Sequence, residues 1–160
     1  MVDIDEEFET VDAGSSSTYP TSAGEIKKNG FMVINGRPCK VVDYSTAKTG
    51  KHGHAKASIT GIDIFNGRKY EDSVPTSHNV EVPIIKRSEW QAIAVDGEGY
   101  VTLMDDKANT RSDLRLPDET ENDEVVAKRI QSALDDGRDC FITVLASMGI
   151  EKIAEVTKDN

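Results

Sequence analysis

The sequence has few of the residues on which several classes of protein depend. Its 160 residues include two cysteines, three histidines and one tryptophan, and aromatic residues make up 6% of the chain. Cys39 and Cys140 lie far apart in apolar, strand-like runs, which excludes a disulfide framework and predicts reduced thiols in the core. No apolar run approaches the roughly 18 residues of a membrane span, so we expect no membrane segment.

The amino-terminal residues lack the positive charge of a targeting peptide. Residues 1–19 carry six acids and no lysine or arginine, which is the opposite of a secretory signal or a transit peptide. We therefore expect a cytoplasmic protein. The same segment has too few apolar residues to offset the entropy lost on ordering, so residues 1–18 are predicted to form a disordered acidic tail.

Charge is distributed unevenly over the rest of the chain. The formal net charge is −10, yet residues 20–86 carry ten basic and six acidic residues. Residues 87–160 carry nine basic and seventeen acidic residues. This asymmetry predicts that the basic part contacts a polyanion while the acidic part faces elsewhere.

Strand and turn signals in the first half predict a small β-barrel. Asn35-Gly36 and Asn66-Gly67 are the favoured dipeptides of two-residue hairpin turns. Short strands without any helical pattern are typical of small barrels. The predicted strands are 31–34, 37–44, 57–65, 68–74 and 80–85. The charge balance changes sign at 83–87, where we place the junction with the second module.

The second half predicts a barrel with one helix. The predicted strands are 89–95, 100–104, 112–116, 140–146 and 152–156. The helix is predicted at 123–134, with acids in its first turn and Gly137 after its end. Its spacing predicts one buried face formed by Val125, Val126, Ile130, Ala133 and Leu134. Three strands, a helix and two strands are the order of an OB-fold.

Other candidate sites in the second half favour structural roles. The acids at 118, 119, 121, 123 and 124 lack the spacing of a calcium loop, and we interpret them as a solvated helix start. Trp90 and Tyr100 could stack on nucleic-acid bases, as in many OB-folds, but the negative charge around them favours core packing. No acid–base pair, nucleophile–base dyad or metal cluster emerges, so we expect no catalytic residues, no metal and no enzymatic activity.

Residues 47–56 stand out by their positive charge. They hold three lysines and two histidines, with no acid and no large apolar side chain, between two predicted strands. This pattern predicts a projecting hairpin tip. Gly50 and Gly53 bracket Lys51 and His52, so the backbone can turn sharply and Lys51 is expected near the apex.

The composition of this loop bears on several kinds of chemistry. A phosphate-cradling motif is rejected because Ser45 stands where that motif requires glycine. A metal site at His52 and His54 is disfavoured because the flanking lysines repel a cation. The crowding of positive charge predicts a lowered pKa for the Lys51 amine, which suits a lysine that is modified. A solvated basic hairpin and a contact with phosphates both remain open.

The loop also carries a family resemblance. Ser-Thr-Ala-Lys-Thr-Gly-Lys-His-Gly-His-Ala-Lys at 45–56 resembles the signature of the hypusine-containing eukaryotic translation initiation factor 5A family. The similarity continues through 35–40, 61–65, 69–72 and 77–83, and it covers the chain from about Tyr19 to the end. Two departures are Ala47, where serine is expected, and the Pro-Thr-Ser-His order at 75–78.

The resemblance implies a fold and a modification. It implies an SH3-like barrel at 19–85 followed by an OB-fold at 86–160. It also implies that Lys51 becomes hypusine, through addition of a spermidine-derived aminobutyl group by deoxyhypusine synthase and hydroxylation by deoxyhypusine hydroxylase, with no separate cofactor. The residues implied to contact RNA or tRNA are Lys48, Thr49, Gly50, His52, Gly53, His54 and Lys56.

The resemblance further implies a translation factor. Its expected partners are the ribosome, through rRNA and ribosomal proteins, and peptidyl-tRNA; a weak homodimer is also allowed for. Its expected role is to promote peptide bond formation at stalled sites such as consecutive prolines, and to assist elongation and termination. The alternative is a general single-stranded RNA-binding module that acts through the OB-fold.

Overall fold

The computed structural model describes residues 17–48 and 55–160. The chain forms two compact units, Met1–Ile84 and Ile85–Asn160. Most of the expected tail, 1–16, lies outside the described residues, whereas Thr18 already belongs to a strand. The assignment of 1–18, 19–85 and 86–160 to a tail and two domains stays a prediction.

The described part of the first unit contains six strands and one short 3-10 turn. The strands are β1 (Thr18–Ser22), β2 (Phe31–Ile34), β3 (Arg37–Lys48), β4 (Ala55–Asp63), β5 (Lys69–Pro75) and β6 (Asn79–Pro83). Strands β2, β3, β4 and β5 form a four-stranded antiparallel sheet, and β1 pairs with β6. The 3-10 turn, Ala23–Glu25, follows β1. The sequence pattern did not predict β1, whose partner lies about 60 residues further along the chain.

The curled sheet of the first unit encloses an apolar core. Both cysteines of the chain are buried and free, as predicted. At Gly61, an added Cβ would lie 2.8 Å from Ile34 Cδ1 and 2.9 Å from Cys39 Cβ, so close packing across the barrel requires glycine there. The core residues are Ala23, Ile26, Met32, Ile34, Cys39, Val41, Ala57, Ile59 and Val80.

The two predicted hairpin turns differ in outcome. Asn35 and Gly36 have φ angles of 54° and 75°, so the two-residue turn between β2 and β3 is confirmed. The turn after β4 is wider than predicted. There Gly67 has a φ of 76°, and its N–H donates to the carbonyl oxygen of Asp63 at 3.0 Å.

The Asp63 carboxylate explains this wider turn. It accepts hydrogen bonds from the N–H groups of Phe65 at 2.8 Å and Asn66 at 3.2 Å. It also accepts one from Arg37 Nε at 2.6 Å, and the Asp63 side chain is fully buried. Burial acts to raise the pKa of Asp63, but the bonds from Arg37 and the two backbone groups outweigh it and hold that pKa below its usual value. The carboxylate therefore fixes a longer connection than the dipeptide alone suggests.

The second unit is an OB-fold. Its elements are β7 (Ile85–Val95), β8 (Tyr100–Met104), β9 (Thr110–Arg115), α1 (Glu121–Asp135), β10 (Cys140–Ser147) and β11 (Ile150–Asp159). The sheet order is β11-β10-β7-β8-β9, with antiparallel pairing throughout. The predicted order of strands and helix is confirmed. Arg111 on β9 joins the two outer strands through a 2.7 Å ion pair with Glu151 on β11.

The start of α1 corrects one interpretation. The Asp123 N–H donates to Thr120 Oγ1 at 3.0 Å, and the Asp123 carboxylate accepts from the Thr120 N–H at 3.1 Å, which completes a capping box. The same carboxylate accepts from Glu119 N–H at 2.9 Å and pairs with Lys152 Nζ at 2.7 Å. Asp123 is buried. The view of this acid as part of a solvated helix start is therefore wrong.

The predicted apolar face of α1 is correct in part. Val126, Ile130 and Ala133 are buried in the core of the second unit, and Leu134 packs against it. Val125, which was expected on this face, is 56% exposed. Its position one residue before Val126 turns it about 100° around the helix, away from the core.

Candidate functional site

The basic hairpin consists of β3, β4 and the six residues between them. Its last described pairs are Ala47 with Lys56 and Lys48 with Ala55. Lys48 and Lys56 are exposed, and neither forms an ion pair with another residue in the described ranges. The other candidate residues of the loop lie outside the described residues: Thr49, Gly50, Lys51, His52, Gly53 and His54.

The β4 arm of the hairpin is held by the neighbouring strand. Lys56 lies opposite Pro75 at the end of β5. Beyond that pair, the Thr76 N–H donates to the Ala55 carbonyl oxygen at 2.9 Å. The hydrogen-bonded ladder therefore continues to the last described residue of this arm.

The β3 arm is held by a side chain. Tyr44, which is half-buried, donates its hydroxyl hydrogen bond to the Ala23 carbonyl oxygen at 2.9 Å. The Ala23 N–H donates to the His78 carbonyl oxygen at 2.8 Å, and the Gly24 N–H donates to the Thr76 carbonyl oxygen at 2.9 Å. The sequence pattern did not predict these contacts. The one sequence feature that could have indicated them is Tyr44 itself, a large side chain followed in its strand only by polar or small residues.

The face of the hairpin that carries Lys56 is polar. Ser45, Ser58 and Ser73 lie side by side on β3, β4 and β5, and all three are exposed. The first acids on this face, Asp43 and Glu71, lie one row further from Lys56 than these serines do. Cations without a nearby acid partner can attract phosphates, and hydroxyl groups can donate hydrogen bonds to them.

The aromatic residues of the OB-fold are already in contact with cations of the same unit. The Arg111 guanidinium lies 5.7 Å from the Trp90 ring centroid, and that of Arg115 lies 5.3 Å from the Tyr100 ring centroid. Trp90 also packs against the core, and its Nε1 donates to Ser88 Oγ at 2.9 Å. Core packing is thus confirmed in part for Trp90, whereas Tyr100 is half-buried under an arginine.

Residues 17–48 and 55–160 hold no group of three or more His, Cys, Asp or Glu side chains that could bind a metal ion. Among the helices of the same ranges, none has the length and apolar character needed to span a membrane.

A basic hairpin on a small β-barrel, joined to an OB-fold, is typical of proteins that bind polyanions. Two family models match this chain. "Translation initiation factor 5A-like, N-terminal" matches residues 16–78, and "Eukaryotic elongation factor 5A hypusine, DNA-binding OB fold" matches residues 84–157. The chain belongs to the eukaryotic translation initiation factor 5A family.

Relatives and solved structures agree with this membership. The chain is 50% identical over 153 residues to eukaryotic translation initiation factor 5A-1 of Arabidopsis thaliana, covering 96% of this chain and 94% of that protein. A translation initiation factor of this family from Naegleria fowleri superposes with a TM-score of 0.81 at 53% identity, covering 88% of this chain and 98% of that one. The factor 5A of Methanococcus jannaschii gives a TM-score of 0.65 at 35% identity, covering 88% and 95%.

Family membership settles the class of protein. The relatives are named as translation factors, so this chain is a translation factor and not an enzyme. Such a factor interacts with the ribosome. The resemblance stated from the sequence and the mainly β fold, an SH3-like barrel followed by an OB-fold, are both confirmed.

Proposed function

We propose that the chain acts on the ribosome through Lys51 after conversion of this lysine to hypusine. The modified side chain reaches the acceptor end of peptidyl-tRNA and promotes peptide bond formation at stalled sites such as consecutive prolines. The factor thereby assists elongation and termination in the cytoplasm. Deoxyhypusine synthase and deoxyhypusine hydroxylase supply the modification, and no other cofactor is needed.

The observation that carries this proposal is the basic hairpin. In the sequence, Lys51 lies between Lys48 and Ala55, which are the paired ends of β3 and β4. Lys48 and Lys56 form no ion pair with an acid in the described ranges. The matched family model for the second unit names hypusine in its description. A cationic segment on a braced hairpin suits a contact with RNA phosphates, which position a protein without reading sequence.

The length of the modified side chain supports the same role. A lysine amine extends about 6 Å beyond its Cα, and an aminobutyl group roughly doubles that reach and adds a second amine. A thin cation of this length can enter a phosphate-lined cleft that a protein backbone cannot. Holding the acceptor end in a reactive pose lowers the entropic part of the barrier to peptide transfer. Thr49, Gly50, His52, Gly53 and His54 are proposed to contact the neighbouring RNA together with Lys48 and Lys56.

The OB-fold is a weaker candidate for the main RNA contact. Trp90 and Tyr100 already bear a guanidinium group near their rings. Stacking a base on the face that the arginine covers would first require that arginine to move. We therefore do not propose that the protein is a general single-stranded RNA-binding module.

The proposal is tested with a matched pair of lysine variants. Lys51→Arg keeps the positive charge but removes the amine that is modified, and Lys48→Arg makes the same change three residues away. Intact mass of protein from its own cells should show a gain of about 87 Da in the wild type and in Lys48→Arg, but not in Lys51→Arg. Translation of a reporter with a run of prolines is then measured with each protein.

The expected result separates charge from modification. Lys51→Arg should lose tenfold or more of the stimulation, roughly the loss expected when one positioning contact is removed. Lys48→Arg should retain most of it. Native protein without added mass that fully stimulates the reporter would refute the proposal.

A further inference from the structure

Both arms of the basic hairpin are tied to the 3-10 turn Ala23–Glu25. The β3 arm is bound through the Tyr44 hydroxyl to the Ala23 carbonyl oxygen. The β4 arm is bound through Ala55 to Thr76, and Thr76 in turn accepts from the Gly24 N–H. Ala23 is fully buried, so this junction is anchored in the core of the unit.

The β3 arm depends on this junction because it lies at an edge. Strand β2 pairs with β3 only as far as Lys40, and the turn before β2 adds two bonds to Val41. From Asp43 to Lys48, strand pairing holds β3 on the β4 side. Within this described stretch, the Tyr44 hydroxyl forms the side-chain hydrogen bond that connects the hairpin to a residue outside it, Ala23.

Gly24 has a steric reason to be glycine. A Cβ at this position would lie 3.3 Å from the Thr76 carbonyl oxygen and 3.5 Å from Thr76 Cβ. An added methyl group would therefore push Thr76 away from the junction by a few tenths of an ångström, and Thr76 carries the bond to Ala55.

We propose that Tyr44, Gly24 and Thr76 are positioning residues: they fix the strand ends Lys48 and Ala55 relative to the barrel and thereby determine where Lys51 is delivered on the ribosome. This inference rests on the proposed function of Lys51. Since reaction at the peptidyl-transfer site requires placement within about an ångström, a small displacement of the hairpin base should reduce the rate.

The first test measures the hairpin base itself. Tyr44→Phe removes one hydroxyl, and Gly24→Ala adds one methyl group. Amide hydrogen exchange at residues 44–48 and 55–58 should become about two- to tenfold faster in each variant, as expected from loss of one net hydrogen bond. Exchange in β2 should change less. Tyr70→Phe and Gly97→Ala are the matched controls, because Tyr70 packs against the same core and Gly97 has open space around its Cβ position.

The second test measures rate against factor concentration. Each variant is purified in the hypusinated form, with the added mass verified, and titrated into translation of the proline reporter. A purely structural defect would lower the active fraction, so more protein would restore the wild-type rate. A positioning defect should lower the rate at saturating factor severalfold in Tyr44→Phe and Gly24→Ala, while both controls reach the wild-type rate.

The outcomes distinguish this inference from the function on which it rests. If Tyr44→Phe and Gly24→Ala both reach the wild-type rate at saturation while Lys51→Arg does not, the positioning role is refuted and the proposed function stands. If Lys51→Arg also reaches the wild-type rate, the proposed function falls and the positioning role falls with it. Unchanged exchange at the hairpin base in both variants would refute the positioning role without any translation assay.

Discussion

Replacing Asp123 should destabilise the OB-fold far more than replacing its capping partner. Asp123→Ala removes the three hydrogen bonds that its carboxylate accepts, from the N–H groups of Glu119 and Thr120 and, at 2.7 Å, from Lys152 Nζ. The side chains of Asp123 and Lys152 are only 3% and 12% exposed, respectively. Thr120→Ala removes the hydroxyl half of the same capping box and leaves the ion pair intact.

The magnitudes follow from the environment of each group. Loss of a helix-capping hydroxyl costs about 1 kcal/mol. Breaking a buried ion pair by removing one partner costs about 3–5 kcal/mol, because the remaining charge loses this contact in a poorly solvated site. Asp123→Ala should therefore reduce the free energy of unfolding of this unit by about 3–5 kcal/mol. With a urea dependence of about 2 kcal/mol per molar, its midpoint should fall by about 2 M.

The chain offers its own probe for this measurement. Trp90 is the one tryptophan in the sequence, and it packs against the core of the second unit. Its fluorescence during urea titration therefore reports unfolding of that unit separately from the first. Asp123→Asn, which keeps a side-chain acceptor but loses the charge, should fall between the other two variants.

A simple comparison would refute the reasoning. If Asp123→Ala and Thr120→Ala shift the midpoint equally, then the contact with Lys152 contributes no stability beyond the cap. A double-mutant cycle with Lys152→Met isolates the pairwise energy, which should be about 1–3 kcal/mol if the ion pair is coupled as described.

Three further predictions concern Asp63, Gly61 and the two buried cysteines. Arg37 helps hold the pKa of Asp63 below its unfolded value of about 3.9. The stability that this carboxylate contributes is therefore present above about pH 4 and is lost as the pH falls. Circular dichroism should show that the folded state loses stability more steeply with acid in the wild type than in Arg37→Met. Gly61→Ala places a methyl group 2.8 Å from Ile34 Cδ1 and should cost about 1–3 kcal/mol of stability, as overpacking does, whereas an alanine at an open glycine should not. Burial raises the pKa of the Cys39 thiol to about 11, so an alkylating reagent at pH 8 should modify neither buried cysteine before unfolding and both cysteines after it.

Local chemistry in the sequence predicted the elements that depend on neighbouring residues. The Asn35-Gly36 turn was predicted because its two left-handed positions are specified by the dipeptide itself. The same dipeptide at 66–67 predicted a tight turn that does not form, because a buried carboxylate at Asp63 binds the backbone of the connection. Sequence spacing does not reveal which acid a barrel will bury.

Contacts between distant segments could not be predicted in the same way. Strand β1 contains Pro20 and shows no clear alternation of buried residues, and its partner β6 lies about 60 residues further along the chain. Asp123 was expected in solvent because acids favour the first turn of a helix, but Lys152, which lies 29 residues away, pairs with it. Long-range partners override local preference at both places.

The candidate site also has a part that local sequence predicts and a part that depends on distant contacts. The cationic composition of 47–56 identified the basic hairpin from the sequence alone, since it requires no knowledge of the fold. The bonds that brace the base of the hairpin were missed, because they join Tyr44 and Thr76 to a 3-10 turn at Ala23 that the sequence does not signal. The role of Lys51 itself stays a proposal.

The ladder between β1 and β6 has a mechanical consequence. Thr18 lies opposite Pro83, and the Ile84 N–H donates to the Ser17 carbonyl oxygen at 2.9 Å, so the chain enters and leaves the first unit side by side. A pulling force applied between the amino end and residues after Ile84 would open this ladder like a zipper, one bond at a time, rather than shearing all of its bonds together. Force spectroscopy in this pulling direction should therefore peel off the first strand at low load before the rest of the barrel yields.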